Sequence, residues 1–267
     1  MAEFENKSVF ITGAARGQGR AAALAFAKEG AAVAAFDVAT KIEYPAYAEG
    51  AGEELRSLKA EIEAFGGKCI TPVGDVRDDN AVTAAVEAAI AAFGKIDIIF
   101  NNAGICAYAP IEEMTDDEWD AMIDINLKGP MNVVRRAVPY MKKAGSGVII
   151  NNSSVMGLRG GRRLSHYTAS KWGLTGLTKA WAIELAPFGI RVVSIHPTGV
   201  NTPMNDGLAA MEGKTPKEIA EASAGNLLPV PWIEPEDVSH LVLFLAGDKA
   251  RYATGSQFVL DAGLLSV

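Results

Sequence analysis

The feature that most constrains this chain is a strand, a glycine turn and a helix in immediate succession near its start. Ser8–Thr12 (SVFIT) is a short apolar, β-leaning run stopped by Gly13. Thr12–Gly19 then reads T-G-A-A-R-G-Q-G, and Arg20–Glu29 follows as a helix ended by Gly30. Glycines at 13, 17 and 19 allow a tight turn, and they let backbone N–H groups approach a phosphate at a helix N-terminus. The spacing is GxxxGxG rather than GxGxxG, so its position between strand and helix carries the argument.

The same alternation runs through the chain. Further strands are expected at Ala32–Val38, Lys68–Val76, Ile96–Asn101, Gly147–Ser153, Ile190–His196 and Gln257–Leu260. Helices are expected at Glu53–Phe65, Asn80–Phe93 and Tyr167–Phe188, with one or two over Asp116–Lys143 and another at Glu236–Ala246. Alternating β and α units imply a parallel sheet with helices on both faces. Runs such as IDIIF are almost continuously apolar, as strands buried on both sides are. The expected fold is therefore α/β, a single doubly wound Rossmann-type domain of about seven strands spanning residues 1–267. Ligands on such a sheet bind at the carboxyl ends of the strands.

Composition removes several function classes. Of 267 residues 49% are hydrophobic, enough for a sizeable core, and the net charge of −7 lacks the basic footprint of a nucleic-acid binder. Cys69, Cys106, His166, His196 and His240 are scattered, so no metal site and no disulfide framework is expected. No apolar run reaches membrane-spanning length and the first residues are charged, so the expected location is cytoplasmic.

Asp37 ends the second strand, 18 residues after Gly19. A carboxylate there accepts hydrogen bonds from adenosine ribose hydroxyls and repels a 2′-phosphate, which favours NAD over NADP. Arg16 in the turn argues the other way, but Asp37 lies where the ribose must lie.

More motifs follow, each at a strand end or in an expected helix: Asp75–Val76, Asn101–Asn102–Ala103–Gly104, Asn126, Ser154, and Tyr167-T-A-S-Lys171. With these in order, the chain resembles the short-chain dehydrogenase/reductase family over essentially its whole length. The H-P-T-G-V-N-T-P-M run at His196–Met204, the ITGAARGQGR opening and an insertion at Ala39–Gly52 resemble the carveol-dehydrogenase-like branch. That branch includes mycofactocin-linked members, some of which hold NAD tightly.

The resemblance implies a catalytic set of Asn126, Ser154, Tyr167 and Lys171. It implies a dinucleotide held by Gly13, Arg16, Gln18, Gly19, Asp37, Val38, Asp75, Val76, Asn102, Ala103, Gly104, Tyr167 and Lys171. Pro197, Val200, Thr202 and Met204 would line its nicotinamide end. Asp75 would face the adenine amino group, and Asn126 would kink its helix and support a water relay to Lys171. Thr198 stands where the family usually has glycine.

The residue types suit carbonyl/alcohol interconversion. A free tyrosine, with a pKa of about 10, is a weak base at neutral pH. The Lys171 ammonium one helical turn away favours the phenolate, so Tyr167 serves as base in oxidation and acid in reduction. The Ser154 hydroxyl stabilises the substrate oxygen. Ser153 is its rival, but the family spacing of 13 residues before Tyr167 selects Ser154. His166 points about 100° away from Tyr167 on the helix and is left out. His196 is expected behind the site, and nothing near Cys106 activates a thiolate.

The expected function is NAD-dependent oxidation or reduction of a lipophilic cyclic secondary alcohol or its ketone: a terpenoid, a steroid or a bile acid. The segment 200–232 would be an apolar substrate lid. Arg159, Arg162 and Arg163 just before Tyr167 would be solvated or would meet a carboxylated tail. The rivals are an NADP-dependent ketoreductase and a non-catalytic nucleotide binder. A homotetramer is expected from the resemblance, through the helices over Asp116–Lys143 and Tyr167–Phe188 and through the C-terminal strand with Leu264–Val267. The insertion would cover the adenosine end of the cofactor or form a plain surface loop.

Overall fold

A computed structural model describes residues 2–45, 51–222 and 225–266. Residues 46–50 of the expected insertion, residues 223–224 of the expected lid and Val267 lie outside the described residues. In chain order the elements are β1 (Ser8–Thr12), α1 (Gly17–Lys28), β2 (Ala32–Phe36), α2 (Gly52–Ala64), β3 (Cys69–Ile70), α3 (Asp79–Phe93) and β4 (Ile98–Asn101). Then come α4 (Asp116–Ile123), α5 (Gly129–Ala144), β5 (Gly147–Asn152), α6 (Ser165–Leu185) and β6 (Ile190–Pro197). The chain closes with α7 (Pro203–Met211), α8 (Pro216–Ala222), α9 (Pro235–Ala246) and β7 (Gln257–Leu260).

Among the described residues the strands form one parallel sheet in the order β3-β2-β1-β4-β5-β6-β7. The order reverses between β1 and β4, which opens a crevice at their carboxyl ends. Period-two alternation splits the strands between two cores. Val9, Ile11, Ile98 and Phe100 pack with Phe26, Leu55, Leu58 and Val242 from α1, α2 and α9. Phe10, Phe36 and Ile99 face the other way, against Val86, Val133, Met141 and Leu185 from α3, α5 and α6. The doubly wound α/β reading therefore holds.

Several boundaries move. The third strand, expected over Lys68–Val76, pairs only at Cys69–Ile70, and a single bridge joins Val73 to Asp37. Pro72 has no N–H to donate, and β3 is the edge strand, so nothing lies beyond it to restore pairing. Helix α1 begins at Gly17, three residues before the expected Arg20, with Gly17 itself at a φ of 49° at the junction of turn and helix. The segment Asp116–Lys143 becomes α4 and α5 joined by a π-helical turn at Asp124–Lys128.

Candidate active site

The glycine turn closes tightly on the loop after β4. Gly13 has a φ of 63°, and a Cβ there would meet the Ala103 Cα at 2.8 Å. A Cβ on Gly19 would fall 2.0 Å from the Gly13 carbonyl oxygen. Any side chain would break this contact, so both positions require glycine. The first turn of α1 carries no acidic residue and its N-terminus has no side-chain cap, leaving positive backbone dipoles that suit an anionic group.

Thr12 fixes the facing turn. Its hydroxyl accepts from the backbone N–H groups of Asn102 and Ala103, both at 3.0 Å. The Asn102 amide donates to the carbonyls of Thr12 and Gly13, also at 3.0 Å. With the Asn102 nitrogen committed, its Oδ1 accepts from Asn152 Nδ2 at 2.9 Å, and that same nitrogen reaches Gln18 Oε1 at 2.9 Å. Asn152 thus ties β5 to both turns. Sequence reasoning had not selected Thr12 or Asn152. The available signal was a polar side chain ending an apolar strand.

A cleft of about 250 Å³ lies between these turns. Gly13, Arg16, Gln18, Asp37, Val38, Asp75, Val76, Asn102, Ala103, Gly104, Tyr167, Lys171, Thr202 and Met204 all line it, as expected from sequence. Ile42 and Ala51, both within the insertion, line it as well. Gly19 sits behind the turn, buried against Gly13. Pro197 and Val200 are not in this wall: Pro197 ends β6, and Val200 is buried in a bridge to Ile233.

At one end of the cleft, Asp37 accepts from the N–H groups of Ala15 at 2.8 Å and Val38 at 2.7 Å. Burial raises its pKa, and these two donors and Arg16 oppose the rise. The Arg16 guanidinium is turned onto Glu54 of α2, Nε at 2.8 Å and Nη2 at 2.6 Å from Oε1. Asp75 is engaged by Arg77, whose backbone N–H donates at 2.8 Å and whose Nη2 lies at 2.6 Å.

At the other end, α6 presents Tyr167 and Lys171 on one face, four residues apart. Lys171 is 5% exposed, and its Nζ donates to the Asn152 carbonyl at 2.7 Å. Burial lowers its pKa from 10.5 to about 8. The ammonium lies 5.6 Å from the Tyr167 ring centroid. Burial pushes the Tyr167 phenol above its usual 10; the nearby Cys106 adds to this, and a hydrogen bond with Ser154 pulls back. The Cys106 thiol is itself raised to about 12 by burial, which agrees with an inert thiol.

Ser154 begins a short 3₁₀ turn, and its Oγ accepts from the Met156 N–H at 3.1 Å. That contact occupies an acceptor site of the hydroxyl and leaves its proton to the hydrogen bond with Tyr167. The Ser153 Oγ is bonded to the Lys171 carbonyl at 3.1 Å and Thr175 at 3.2 Å. Ser153 rather than Ser154 is among the residues that line the cleft, although the Ser153 hydroxyl is turned onto Lys171 and Thr175. His196 is fully buried behind Ser154: Nδ1 donates to the Ser154 carbonyl at 2.8 Å, and Nε2 lies 2.9 Å from Ser194 Oγ. Since a carbonyl only accepts, the proton resides on Nδ1, and Ser194 donates to Nε2.

Asn126 lies in the π-helical turn, 1% exposed. Its Oδ1 accepts from the Ile105 N–H and its Nδ2 donates to the Ile105 carbonyl, both at 2.8 Å, and Nδ2 also reaches Ser170 Oγ at 3.2 Å. Asn126 therefore fixes the loop after Gly104 and backs the Tyr167–Lys171 helix. His166 is buried on another side of α6, its Nε2 bonded to the Tyr44 hydroxyl at 3.0 Å. No cluster of three or more potential metal ligands occurs among the described residues.

Comparison with known proteins places this geometry. A family model described as short chain dehydrogenase matches residues 7–213. The chain is 42% identical to a (-)-trans-carveol dehydrogenase of Rhodococcus erythropolis, covering 98% of this chain and 99% of that protein. It is 38% identical to a 3-alpha-(or 20-beta)-hydroxysteroid dehydrogenase of Mycobacterium bovis, covering 97% and 90%. Its fold superposes on the crystal structure of a carveol dehydrogenase from Mycobacterium avium in complex with NAD, with a TM-score of 0.96, 38% identity and complete coverage of both chains.

Proposed function

The chain belongs to the short-chain dehydrogenase family, and from that premise we propose that it is an NAD-dependent oxidoreductase that interconverts a lipophilic cyclic secondary alcohol and its ketone. The observation that carries the reading is the cluster of Ser154, Tyr167 and a dehydrated Lys171 at the carboxyl ends of the strands, beside a turn that only glycine can close.

The residues present fit a dinucleotide. Gly13, Gly17 and Gly19 let the turn pack directly on Ala103, on Thr202 and on itself, and the uncapped start of α1 would receive the pyrophosphate. Asp37 keeps lone pairs that would accept from the adenosine ribose, and Lys171 would hold the nicotinamide ribose. When bound, NAD supplies the hydride acceptor at the substrate carbon. Ser154 Oγ–H holds the substrate oxygen, and Tyr167 Oη takes the hydroxyl proton as the alcohol is oxidised. The Lys171 ammonium favours the phenolate against the burial that opposes it.

The substrate class rests on apolar walls and on committed charges. Ile105 and Met204 line the cleft next to Tyr167. Arg163 is bonded to Glu212 at 3.0 Å and lies over the Tyr108 ring at 5.3 Å, which speaks against a receptor for a carboxylated tail. A terpenoid or steroid alcohol fits these features, and the relatives named above carry such names.

Tyr167→Phe tests the reading. The variant should bind NADH like the wild type and lose turnover by about 10³-fold or more, since a positioned proton-transfer group contributes on that scale. Near-normal rates would remove Tyr167 from proton transfer. A homotetramer belongs to the same reading. It is supported by exposed Trp172, Ile183 and Phe188 on and after α6, and by Val259 on the edge strand β7. A native mass of one chain by sedimentation would overturn it.

A further inference from the structure

We propose that Glu54 is a second selector, acting with Asp37 to exclude a dinucleotide that carries a 2′-phosphate. The proposal rests on the NAD reading of the cleft and deepens it. Arg16 lines the cleft beside Asp37. A guanidinium there has the fork geometry that a phosphate dianion matches best. Taken from sequence, Arg16 therefore argues for NADP. In the fold its fork is turned instead onto Glu54, with Nε and Nη2 both on Oε1.

Glu54 reaches this position because α2 begins straight after the insertion and its first turn docks against α1. The Glu54 main-chain carbonyl accepts from Arg20 Nη1 at 3.2 Å, and Arg20 continues to Glu61 at 2.7 Å. Helix α2 is thus fastened to α1 at Glu54 and, two turns further on, at Glu61. A carboxylate on Arg16 has two effects on a bound 2′-phosphate. It occupies the cation that would neutralise the dianion, and it adds a negative charge near that of Asp37. Free ribose hydroxyls are neutral and meet neither penalty.

The test is fluorescence titration of the full-length chain with NADH and with NADPH. Glu54→Gln keeps the side-chain shape, and the ion pair is partly exposed, so the variant folds. It should bind NADPH about 5-fold more tightly, and NADH within about twofold of wild type, the size expected for one partly screened charge. In an Arg16→Ala background the same substitution should give little gain, because the guanidinium it releases is missing. Unchanged NADPH affinity in Glu54→Gln overturns the proposal, and so does a gain that survives intact without Arg16. In either case wild-type binding of NADH leaves the NAD reading standing. A wild-type chain that binds neither nucleotide overturns that reading and this proposal together.

Discussion

Lys171 carries a charge that the fold makes expensive. Its ammonium is 5% exposed, is satisfied by the Asn152 carbonyl at 2.7 Å, and has its pKa lowered by burial to about 8. Between pH 8 and 10.5 the unfolded chain therefore binds more protons at this site than the folded one. By linkage, stability rises with pH across that window. Tyr167 has the opposite sign: its raised pKa means the folded state keeps the phenol proton above pH 10, where stability falls again. The net gain is thus confined to about pH 8–10. Urea unfolding of wild type and Lys171→Met should differ by a margin that shifts toward the wild type by about 2 kcal/mol from pH 7 to 10. A flat difference would mean that the ammonium is hydrated. The Tyr167–Lys171 spacing was legible in sequence while their neighbour Asn152 was not. An i, i+4 pair follows from helix geometry alone, whereas Asn152 matters through a carbonyl and an amide aimed at three separate segments. His196 was legible only as a residue behind the site, since its bond to the Ser154 carbonyl depends on the register of β6 on β5.

At the scale of elements, the strands that position the site could be read from apolar runs because both faces of the sheet are buried. Breaks in regularity could not. The π-helical turn at Asp124–Lys128 leaves no mark on hydrophobic period, yet it brings Asn126 onto both polar groups of Ile105. Edge strand β3 shortened because Pro72 and the lack of an outer neighbour overrode its β-leaning composition. The lid is a further case. Helix α7 ends at Met211, and the next residue, Glu212, is paired with Arg163 just before α6. Arg163 also lies over Tyr108, and its carbonyl accepts from the Ala109 N–H at 2.9 Å. One ion pair thus holds the end of the lid helix to two segments that flank Tyr167. Glu212→Gln should raise the KM for a lipophilic alcohol by about 3- to 10-fold while NADH affinity stays put. Global stability should shift by less than about 1 kcal/mol, as for a partly exposed pair. Steady-state kinetics beside a chemical-denaturation curve checks this, and an unchanged KM would show that α7 is held by its apolar face alone.

Across the whole molecule, the described part of the segment after β2 joins the cleft wall to α6. Asp37 and Ile42 line the cleft, and Tyr44 then bonds His166 on α6, next to Tyr167. Burial raises the Tyr44 phenol to about 12 and lowers the His166 pKa. At neutral pH the phenol is therefore the donor and the imidazole the acceptor. The segment touches the described ends of the cleft through side chains separated by more than 120 positions in sequence, which no local pattern announces. If the bound dinucleotide lies beneath it, release requires that this contact open first. Removing one buried hydrogen bond costs on the order of 1 kcal/mol, or somewhat under tenfold in a rate that must break it. Tyr44→Phe keeps the ring packing and deletes only the donor, so NADH should dissociate about 5-fold faster in a stopped-flow chase while turnover chemistry at Tyr167 is untouched. Retained nucleotide after dialysis of the wild type, read from its absorbance, and its loss from the variant would make the same case at equilibrium. Equal dissociation rates would mean that the Tyr44–His166 contact does not gate release, and the retention of cofactor would then have to come from the glycine turn and Asp37.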